Sequence, residues 1–498
     1  MQFNSLEFMG FFPVVLFIYF VIPRKLRTIW LLAASYFFYM NWNAKYALLI
    51  GVSTVVTYWC GVQLERVNAT GGEDSRKKRI LVAGLVINLL ILAVFKYANF
   101  GLDTIDNLEQ LLGIGSLGRR LDIMVPVGIS FYTFQALGYI IDVYRGDVAA
   151  EHNFIRYALF VSFFPQLVAG PIERSKNLLG QINDVENFNL WNAKRVTSGA
   201  ILMVWGFFMK MVIADRLALL VDNVYDSERA FGSTALIMAT LGFTIQIYCD
   251  FAAYSIIAIG CAKIMGFTLM ENFNTPYFSR SIREFWQRWH ISLSTWFKDY
   301  LYIPLGGNRK GKRRRIINLM IVFLVSGLWH GASWTYVVWG GLHGLYQVIG
   351  DATAGLRDKV KTRLKVNTEA FSYGAGKTVV TFLLVSFAWI FFRADTIEQA
   401  CRIIRRIVAR PDPWKLFNGG IYEYGLDRPE MNILMGALLV LLLVDLIRYF
   451  RKQTIDAFLM EQNLWFEWLV IIGLIMAVFM FGEYGPGYDA QEFIYFQF

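Results

Sequence analysis

The stretch EDSRKKRILVAGLVINLLILAVF, residues 73–95, joins two features that recur along this sequence, a cluster of Lys and Arg and an unbroken apolar run. The run approaches the roughly 17–25 residues that an α-helix needs to cross a bilayer. Lys and Arg are enriched on the cytoplasmic side of membrane proteins, so the basic cluster indicates which end faces inward. The stretch therefore predicts a transmembrane helix that starts in the cytoplasm.

Apolar runs of this kind extend from one end of the 498-residue chain to the other. Hydrophobic residues make up 56% of the chain, and its mean hydropathy is +0.43. Only 17% of the residues are charged, whereas a soluble chain usually carries about a quarter. No long polar segment separates the runs. The sequence predicts an all-α polytopic membrane protein, with one membrane domain at residues 1–482 and a tail at residues 483–498.

Loops rich in Lys and Arg alternate with loops that are poor in them. This alternation fits the positive-inside rule if the N-terminus and the C-terminus both lie outside. A group of arginines at residues 402–410 does not fit, because it would lie outside; we expect it on a surface helix that faces lipid phosphates. The basic loops predicted to be cytoplasmic are residues 24–27, 76–79, 309–315, 357–365 and 448–452.

Composition also excludes two function classes. The net charge of +10 is explained by membrane orientation, and no folded basic face indicates nucleic-acid binding. The four cysteines have neither the spacing of metal ligands nor that of a disulfide framework, so no metal site is expected. They are Cys60, Cys249, Cys261 and Cys401.

Two apolar segments in the middle of the chain contain helix-breaking residues. Residues 123–146 include Pro126 and Gly128, and residues 160–174 include Pro165 and Pro171. Irregular backbone at membrane depth persists only where it is buried in protein or lines a cavity. These segments therefore predict the walls of an internal chamber.

The segment SIREFWQRWHISLSTWFKDYLYIPLGG, residues 281–307, is too polar to span a membrane. Its large apolar residues recur at helical spacing and basic residues lie between them. This pattern is typical of an interfacial or re-entrant amphipathic helix. The apolar positions are Trp286, Trp289, Leu293 and Trp296.

Four histidines are the first candidates for chemistry. His330 lies in an apolar stretch, SGLWHGASW, where small neighbours would leave room for a substrate and the imidazole could take a proton from a hydroxyl. A hydrogen-bonded core histidine explains it equally well. His290 could orient a group, although packing at the interface is slightly favoured. His343 is expected to be structural, and His152 is given no role.

Polar residues also interrupt the apolar run IQIYCDFAAYS, residues 245–255. Asp250 and Tyr254 are four positions apart and would share one helix face. They could line a chamber or fasten helices together, and the structural interpretation is favoured because buried polar side chains often specify helix packing.

Five segments, taken in order, resemble the bacterial membrane-bound O-acyltransferases, in particular the membrane subunits of alginate, peptidoglycan and cellulose O-acetylation. The resemblance covers nearly the whole chain. It is carried by PVGISFYTFQALGYIIDVYRG, FFPQLVAGPIER, QIYCDFAAYSIIAIG, ENFNTPYFSRSIREFWQRWHISLSTWFKDYLYIPLGGNRKG and GLWHGASWTYVVWGGLHG.

The resemblance implies a ring of tilted helices around a central funnel and tunnel, with the acyl donor arriving from the cytoplasm and the acceptor from outside. The essential histidine of the family corresponds to His330 and its second histidine to His290. Basic residues of the loop at 309–315 would then be neighbours of the donor's phosphates, although membrane orientation alone would explain them: Arg309, Lys310, Lys312 and Arg313.

The tail ends in QEFIYFQF, in which Phe493, Tyr495 and Phe498 form an F-x-Y-x-x-F motif. The motif is similar to the tail of the small partner protein of teichoic-acid D-alanylation, whose tyrosine is held to carry the acyl group. Its aromatic residues would anchor in the funnel mouth and direct the Tyr495 hydroxyl to His330. The alternative is a tail that lies on the outer leaflet, an interface that Tyr and Phe suit.

Together these features predict an O-acyltransferase of the bacterial cytoplasmic membrane that supplies acetyl groups to a cell-surface polysaccharide. Acetyl-CoA would be the donor substrate, with no resident cofactor, and an extracellular transferase of the SGNH or serine-esterase type would complete the transfer. Alternatives are teichoic-acid D-alanylation or lipid acylation by the same family. A transporter or flippase is a further alternative, but it leaves the motifs unexplained.

Overall fold

The computed structural model describes residues 1–71, 73–114, 118, 120–168, 170–484 and 494. It is 78% helical, and its described residues contain no strand. Seven helical segments among these residues are long and apolar enough to cross a membrane, which confirms the predicted all-α membrane class. They are Arg24–Ala69, Asp74–Leu111, Ala193–Asp226, Ser233–Met265, Phe371–Arg393, Arg428–Arg451 and Leu464–Phe481.

The chain forms two compact units. One comprises Met1–Ala200 and Ile257–Met270, and the other comprises Ile201–Ile256 and Glu271–Phe498. The single membrane domain at residues 1–482 stays a prediction. In the first unit the helices are α1 (Leu6–Val21), α2 (Arg27–Asn43), α3 (Ala47–Ala69), α4 (Asp74–Leu92), α5 (Ala98–Leu111), α6 (Ile129–Arg145), α7 (Phe154–Ser162), α8 (Phe164–Leu167) and α9 (Ser175–Asn183).

The remaining helices include two, α10 and α12, that contribute residues to both units. A π-helical turn, Phe208–Ala214, separates α10 from α11. The helices are α10 (Ala193–Phe207), α11 (Asp215–Asp226), α12 (Ser233–Met265), α13 (Ile282–Arg288), α14 (Ile291–Phe297), α15 (Gly311–His330), α16 (Trp334–Ala352), α17 (Ala354–Arg363), α18 (Phe371–Arg393), α19 (Ile397–Ala409), α20 (Arg428–Arg451), α21 (Ile455–Met460) and α22 (Leu464–Phe481).

The first proline-containing segment stays irregular up to Gly128, where α6 begins. Gly128 has φ +74°, a left-handed conformation that glycine adopts without strain. A Cβ atom at this position would lie 2.6 Å from the carbonyl oxygen of Leu167, so the close approach also requires glycine. In the second segment the chain forms the short helices α7 and α8 and then the extended residues 171–174.

The amphipathic segment at residues 281–307 is not one helix, as its spacing predicts, but two short helices and a π-turn. The chain breaks at His290, whose φ of +43° ends the pattern that Trp286 and Trp289 begin. All four large apolar residues of this segment are buried in the protein. The segment is therefore divided at His290, and its apolar residues pack inside the fold; whether it is interfacial or re-entrant stays a prediction.

The arginine group near residue 402 does lie on a helix, α19, which buries Ala400 and Ile403. Arg402 pairs with Glu228 at 3.1 Å, and Arg406 donates to the carbonyl of Phe231. Two of the four arginines therefore bind protein groups, which the sequence pattern did not indicate.

Candidate active site

His330 is the last residue of α15, and its position depends on the turn that follows. Gly331 is extended, and Ser333 caps α16 by accepting a hydrogen bond from the backbone N–H of Thr335 at 3.3 Å. The glycine was expected to leave room for a substrate. The structure corrects this, because a Cβ atom on Gly331 would collide with the ring of Tyr336. The small residue thus permits the close packing of α16 against the end of α15.

The imidazole of His330 is only 1% exposed and lies among aromatic rings. The Trp339 ring meets it edge-on, with the ring centroids 4.9 Å apart at 90°. The rings of Trp329 and Phe392 lie at 5.0 Å and 5.7 Å. This surrounding excludes bulk water, and in such a medium electrostatic and proton-transfer interactions are stronger than in water.

His290 is the second buried imidazole, and its ring centroid lies 6.2 Å from that of His330. Its left-handed backbone is uncommon for a residue other than glycine, and such conformations cost about 1–3 kcal/mol and cluster at functional sites. Asn272 supports the conformation: its carbonyl accepts from Ile291 N–H at 2.9 Å and its Oδ1 accepts from the Ser292 hydroxyl at 2.6 Å. The two histidines are thus brought together on a rigid scaffold.

The other two histidines do not join this pair. His343 accepts a hydrogen bond at Nδ1 from the Trp286 indole N–H at 3.2 Å, in agreement with a packing role. His152 is exposed, and its Nε2 lies 2.6 Å from a carboxylate oxygen of Glu65.

One cavity, here called the basic cavity, has a volume of about 740 Å³. It is lined by four cationic side chains and one carboxylate, Asp351, which pairs with Arg283 at 2.9 Å and also with Arg315. Its wall includes Ile291, the residue after His290, and the cationic residues are Arg283, Lys298, Arg309 and Arg315.

Of the four basic residues predicted to lie near a donor, only Arg309 lines this cavity. Lys310, Lys312 and Arg313 are exposed and do not line it. Arg315 belongs to the predicted basic loop, but sequence reasoning missed the contributions of Arg283 and Lys298, which precede that loop and meet it only in the folded protein.

A second cavity, here called the triad cavity, has a volume of about 390 Å³. It begins two residues beyond His330, at Ala332 and Ser333, and Phe392 also lines it. A buried ionic cluster forms part of its wall. Lys210 Nζ lies 2.8 Å from Asp215 Oδ1 and 2.6 Å from Asp250 Oδ1.

Sequence reasoning singled out Asp250 but missed Lys210 and Asp215. The available signal was the presence of three ionisable residues, Lys210, Asp215 and Arg216, inside the apolar run at 200–220, where such residues are costly and are functional candidates. Lys210 also lies in the π-helical turn between α10 and α11, and π-turns occur frequently at functional sites.

Aromatic residues around His330 reach the walls of both cavities. His330 contacts Phe392 of the triad cavity and also Trp339. The Trp339 ring in turn lies 5.7 Å from that of Trp286, which lines the basic cavity. The predicted motif residues Phe493, Tyr495 and Phe498 lie outside the described residues, but Ile494 is described and lines the triad cavity.

Comparison with known proteins identifies the family of this chain. The family model for MBOAT, the membrane-bound O-acyltransferase family, matches residues 148–387, a region that contains both histidines. A protein named probable alginate O-acetylase AlgI, from Pseudomonas aeruginosa, is 40% identical over 453 residues, which cover 91% of this chain and 83% of that protein.

Two further relatives have different names. The peptidoglycan O-acetyltransferase of Helicobacter pylori is 33% identical over 80% of this chain and 78% of its own length. The teichoic acid D-alanyltransferase of Streptococcus thermophilus is 31% identical over 53% of this chain and 68% of its own length.

The chain is therefore a membrane-embedded acyltransferase. It belongs to the membrane-bound O-acyltransferase family, as the five segments indicated, and family membership gives no support to the transporter alternative.

Proposed function

We propose that this enzyme moves an acetyl group from acetyl-CoA across the membrane for O-acetylation of a cell-surface polysaccharide. The observation that carries the proposal is the buried pair His290 and His330, whose neighbours Ile291 and Phe392 line a basic cavity and a second cavity of different character. The names of two relatives, an alginate O-acetylase and a peptidoglycan O-acetyltransferase, support acetyl as the group and a surface polymer as its destination.

The basic cavity suits the donor. Coenzyme A carries several phosphate charges, and Arg and Lys bind phosphate through charge-assisted hydrogen bonds. Arg309 and Lys298 would hold the phosphates, while the acetyl end reaches the apolar wall formed by Trp286 and Ile291. A thioester in this orientation would approach the histidine pair from the side of His290.

His330 acts as the general base. Its neutral imidazole takes the proton of an acceptor hydroxyl while the hydroxyl oxygen attacks the thioester carbonyl carbon. The C–S bond breaks, and the proton passes from the imidazolium to the departing thiolate, so coenzyme A leaves as the free thiol. His290 orients the reacting groups from the opposite side of the 6.2 Å gap between the ring centroids.

Tyr495 is the acceptor hydroxyl in this proposal. The support is Ile494, the preceding residue, which is buried in the triad cavity beside Ala332 and Ser333. A phenol with a pKa near 10 needs a base to become a competent nucleophile at neutral pH. The acetyl-tyrosine is an activated aryl ester, and an extracellular SGNH or serine-esterase-like partner would pass its acetyl group to the polysaccharide.

The enzyme works in the cytoplasmic membrane with both termini outside. This orientation follows from the alternation of basic loops. Single-cysteine labelling from outside should modify the N-terminus and the loop after Phe95, and it should not modify positions 76, 313, 361 or 451. Labelling of position 313 from outside would reverse the orientation and remove the basic cavity from the cytoplasmic side.

The direct test of the function is incubation of the purified enzyme with acetyl-CoA that is isotopically labelled in the acetyl group. The wild-type protein should release free coenzyme A and become labelled. His152→Ala, which changes an exposed histidine away from the pair, is the matched control and should behave as wild type. A protein that reacts with a D-alanyl thioester on a carrier protein and leaves acetyl-CoA intact would instead be a D-alanyltransferase, the activity in the name of the Streptococcus thermophilus relative.

A further inference from the structure

The buried ionic cluster next to the active site has an unusual balance of charge. The side chains of Lys210, Asp215 and Asp250 are 2%, 1% and 4% exposed. One Lys and one Asp would already form a neutral pair, and each additional buried charge is costly unless something binds it. Because Lys210 is shared between both carboxylates, a further hydrogen-bond donor is a stabilising partner for either of them.

The backbone of the C-terminal segment supplies this partner. Asp250 uses Oδ1 for the ion pair with Lys210, and its Oδ2 accepts a hydrogen bond from the backbone N–H of Ile494 at 2.8 Å. Ile494 is 5% exposed. Hydrogen bonds to a charged acceptor are roughly twice as strong as those between neutral groups. The two oxygens of Asp250 thus join the cluster to the end of the chain.

The residues at the start of the same segment also bind neighbouring residues. Arg216 donates to the carbonyl oxygen of Phe481 at 2.9 Å and pairs with Glu483 at 2.6 Å. The backbone N–H of Glu483 donates to the carbonyl of Met211 at 3.0 Å. Met211 belongs to the same π-helical turn as Lys210. A π-turn disturbs the regular helical ladder, which leaves a carbonyl free to bind a group from outside the helix.

We propose that the cluster of Lys210, Asp215 and Asp250 is a docking site for the C-terminal segment of this chain, and that Asp250 is a positioning residue for the residue that follows Ile494. Docking of the segment does not depend on the proposed acetyl-transfer reaction. Its purpose, to present the Tyr495 hydroxyl to His330, rests on the proposed function. Asp250 would act through the tail and not on the acetyl group itself.

The variant Asp250→Asn tests docking with little disturbance of the fold. The neutral amide leaves Lys210 and Asp215 as a balanced pair, whereas removal of Lys210 would strand two buried carboxylates. If the Asn oxygen keeps the contact with Lys210, its NH₂ group faces the N–H of residue 494. Two donors then face each other, and the tail should detach.

The measurement is the rate of maleimide labelling at position 494 in detergent-solubilised enzyme that carries Ile494→Cys and Cys401→Ser. The other three cysteines are buried, and the parent without Ile494→Cys gives the background. We expect slow labelling with Asp250 and labelling at least about tenfold faster with Asp250→Asn, the size expected for the loss of one hydrogen bond to a charged group. Equal rates in the two proteins would overturn the docking site.

A second pair of variants leaves the cluster untouched. Ile494→Pro deletes the donating N–H, because proline has none, whereas Ile494→Ala removes the side chain and keeps the donor. Acetyl transfer to the cell surface should fall strongly in the proline variant and much less in the alanine variant. Adding Asp250→Asn to Ile494→Pro should cause little further loss, since both changes break the same bond. Additive losses would assign Asp250 a purely structural role.

The labelling rate tests the docking site, and surface acetylation tests the Tyr495 relay. Faster labelling together with normal surface acetylation would leave the docking site in place and remove the Tyr495 relay. Unchanged labelling would remove the docking site, whatever the activity.

Discussion

The two cavities near the histidine pair carry opposite charge. Among the described residues, the basic cavity is lined by four cations and one carboxylate, whereas the triad cavity is lined by four carboxylates and two cations. A polyanionic donor is attracted to the first and repelled by the second, since a cleft of one sign concentrates ligands of the other. Under the proposed function, this difference would direct the charged donor to the basic cavity.

The cavities also differ in which parts of the chain line them. The basic cavity is bounded by loop and helix residues such as Asn308 and Gln347, and the triad cavity is lined by Ile494 of the chain's own C-terminal segment. A free small molecule therefore suits the basic cavity, and a tethered acceptor suits the triad cavity. Under the proposed function, the two cavities would be separate sites for the donor and the acceptor.

The largest effect should come from His330, whose aromatic neighbours reach the walls of both cavities. Replacement His330→Ala should lower acetyl transfer by about 10²–10⁴-fold, the usual contribution of a general base. His290→Ala should be less severe if His290 only orients the reacting groups. The comparison is made by surface acetylation in strains that contain equal amounts of each membrane protein. Near-normal acetylation with His330→Ala would remove this residue from the mechanism.

A smaller effect should separate the basic cavity from the general positive charge of its loop. Arg309→Ala should raise the KM for acetyl-CoA several-fold and leave kcat almost unchanged, because a lost phosphate contact weakens binding of the ground state and the transition state equally. Arg314→Ala is the matched control, since Arg314 is an exposed residue of the same loop that does not line the cavity. Equal increases in KM for the two variants would mean that the loop acts only through its total charge.

The same pair can be compared at two salt concentrations. Both arginines are exposed, but Arg309 lines the cavity. A direct contact between a phosphate and Arg309 should keep more of its effect in high salt than the long-range attraction of Arg314, which is screened within about 10 Å at 0.1 M ionic strength. Loss of the Arg309 effect in high salt would place the donor phosphates at the surface instead of in the cavity.

Much of the fold follows from local sequence patterns. The run at residues 80–95 appears as α4 and the start of the following π-turn, because apolar composition and length alone decide that such a segment is a helix in a membrane. The breaks near Gly128 and Pro165 were equally visible, since glycine and proline act through their own backbone geometry.

The break at His290 could not be predicted in this way. A left-handed conformation at a non-glycine residue is stabilised by its surroundings, here by the carbonyl and side chain of Asn272, which lies far away along the sequence. The helical spacing of Trp286 and Trp289 predicts a continuous helix, because a sequence pattern shows only which residues are apolar. It does not show the tertiary contact that breaks the helix at His290.

The candidate site was predictable only in part. The sequence predicts a role for His330, which stays a prediction, but the space assigned to Gly331 is filled by Tyr336. The ionic partner of Asp250 was not predicted, because Lys210 and Asp250 lie on separate helices and their 2.6 Å contact exists only after packing. Sequence patterns identify residues that are costly to bury, and tertiary structure determines which of them meet.

The central claim is that the acetyl group passes from a donor on one side of His330 to the Tyr495 hydroxyl on the other. The most direct measurement is mass spectrometry of C-terminal peptides after incubation of the enzyme with labelled acetyl-CoA, together with surface acetylation by Tyr495→Phe, which deletes only the phenolic oxygen. We predict an acetyl group on Tyr495 of the wild-type enzyme, its absence in His330→Ala, and loss of polysaccharide acetylation in Tyr495→Phe at unchanged protein level. An unmodified Tyr495 and normal surface acetylation by Tyr495→Phe would contradict the account.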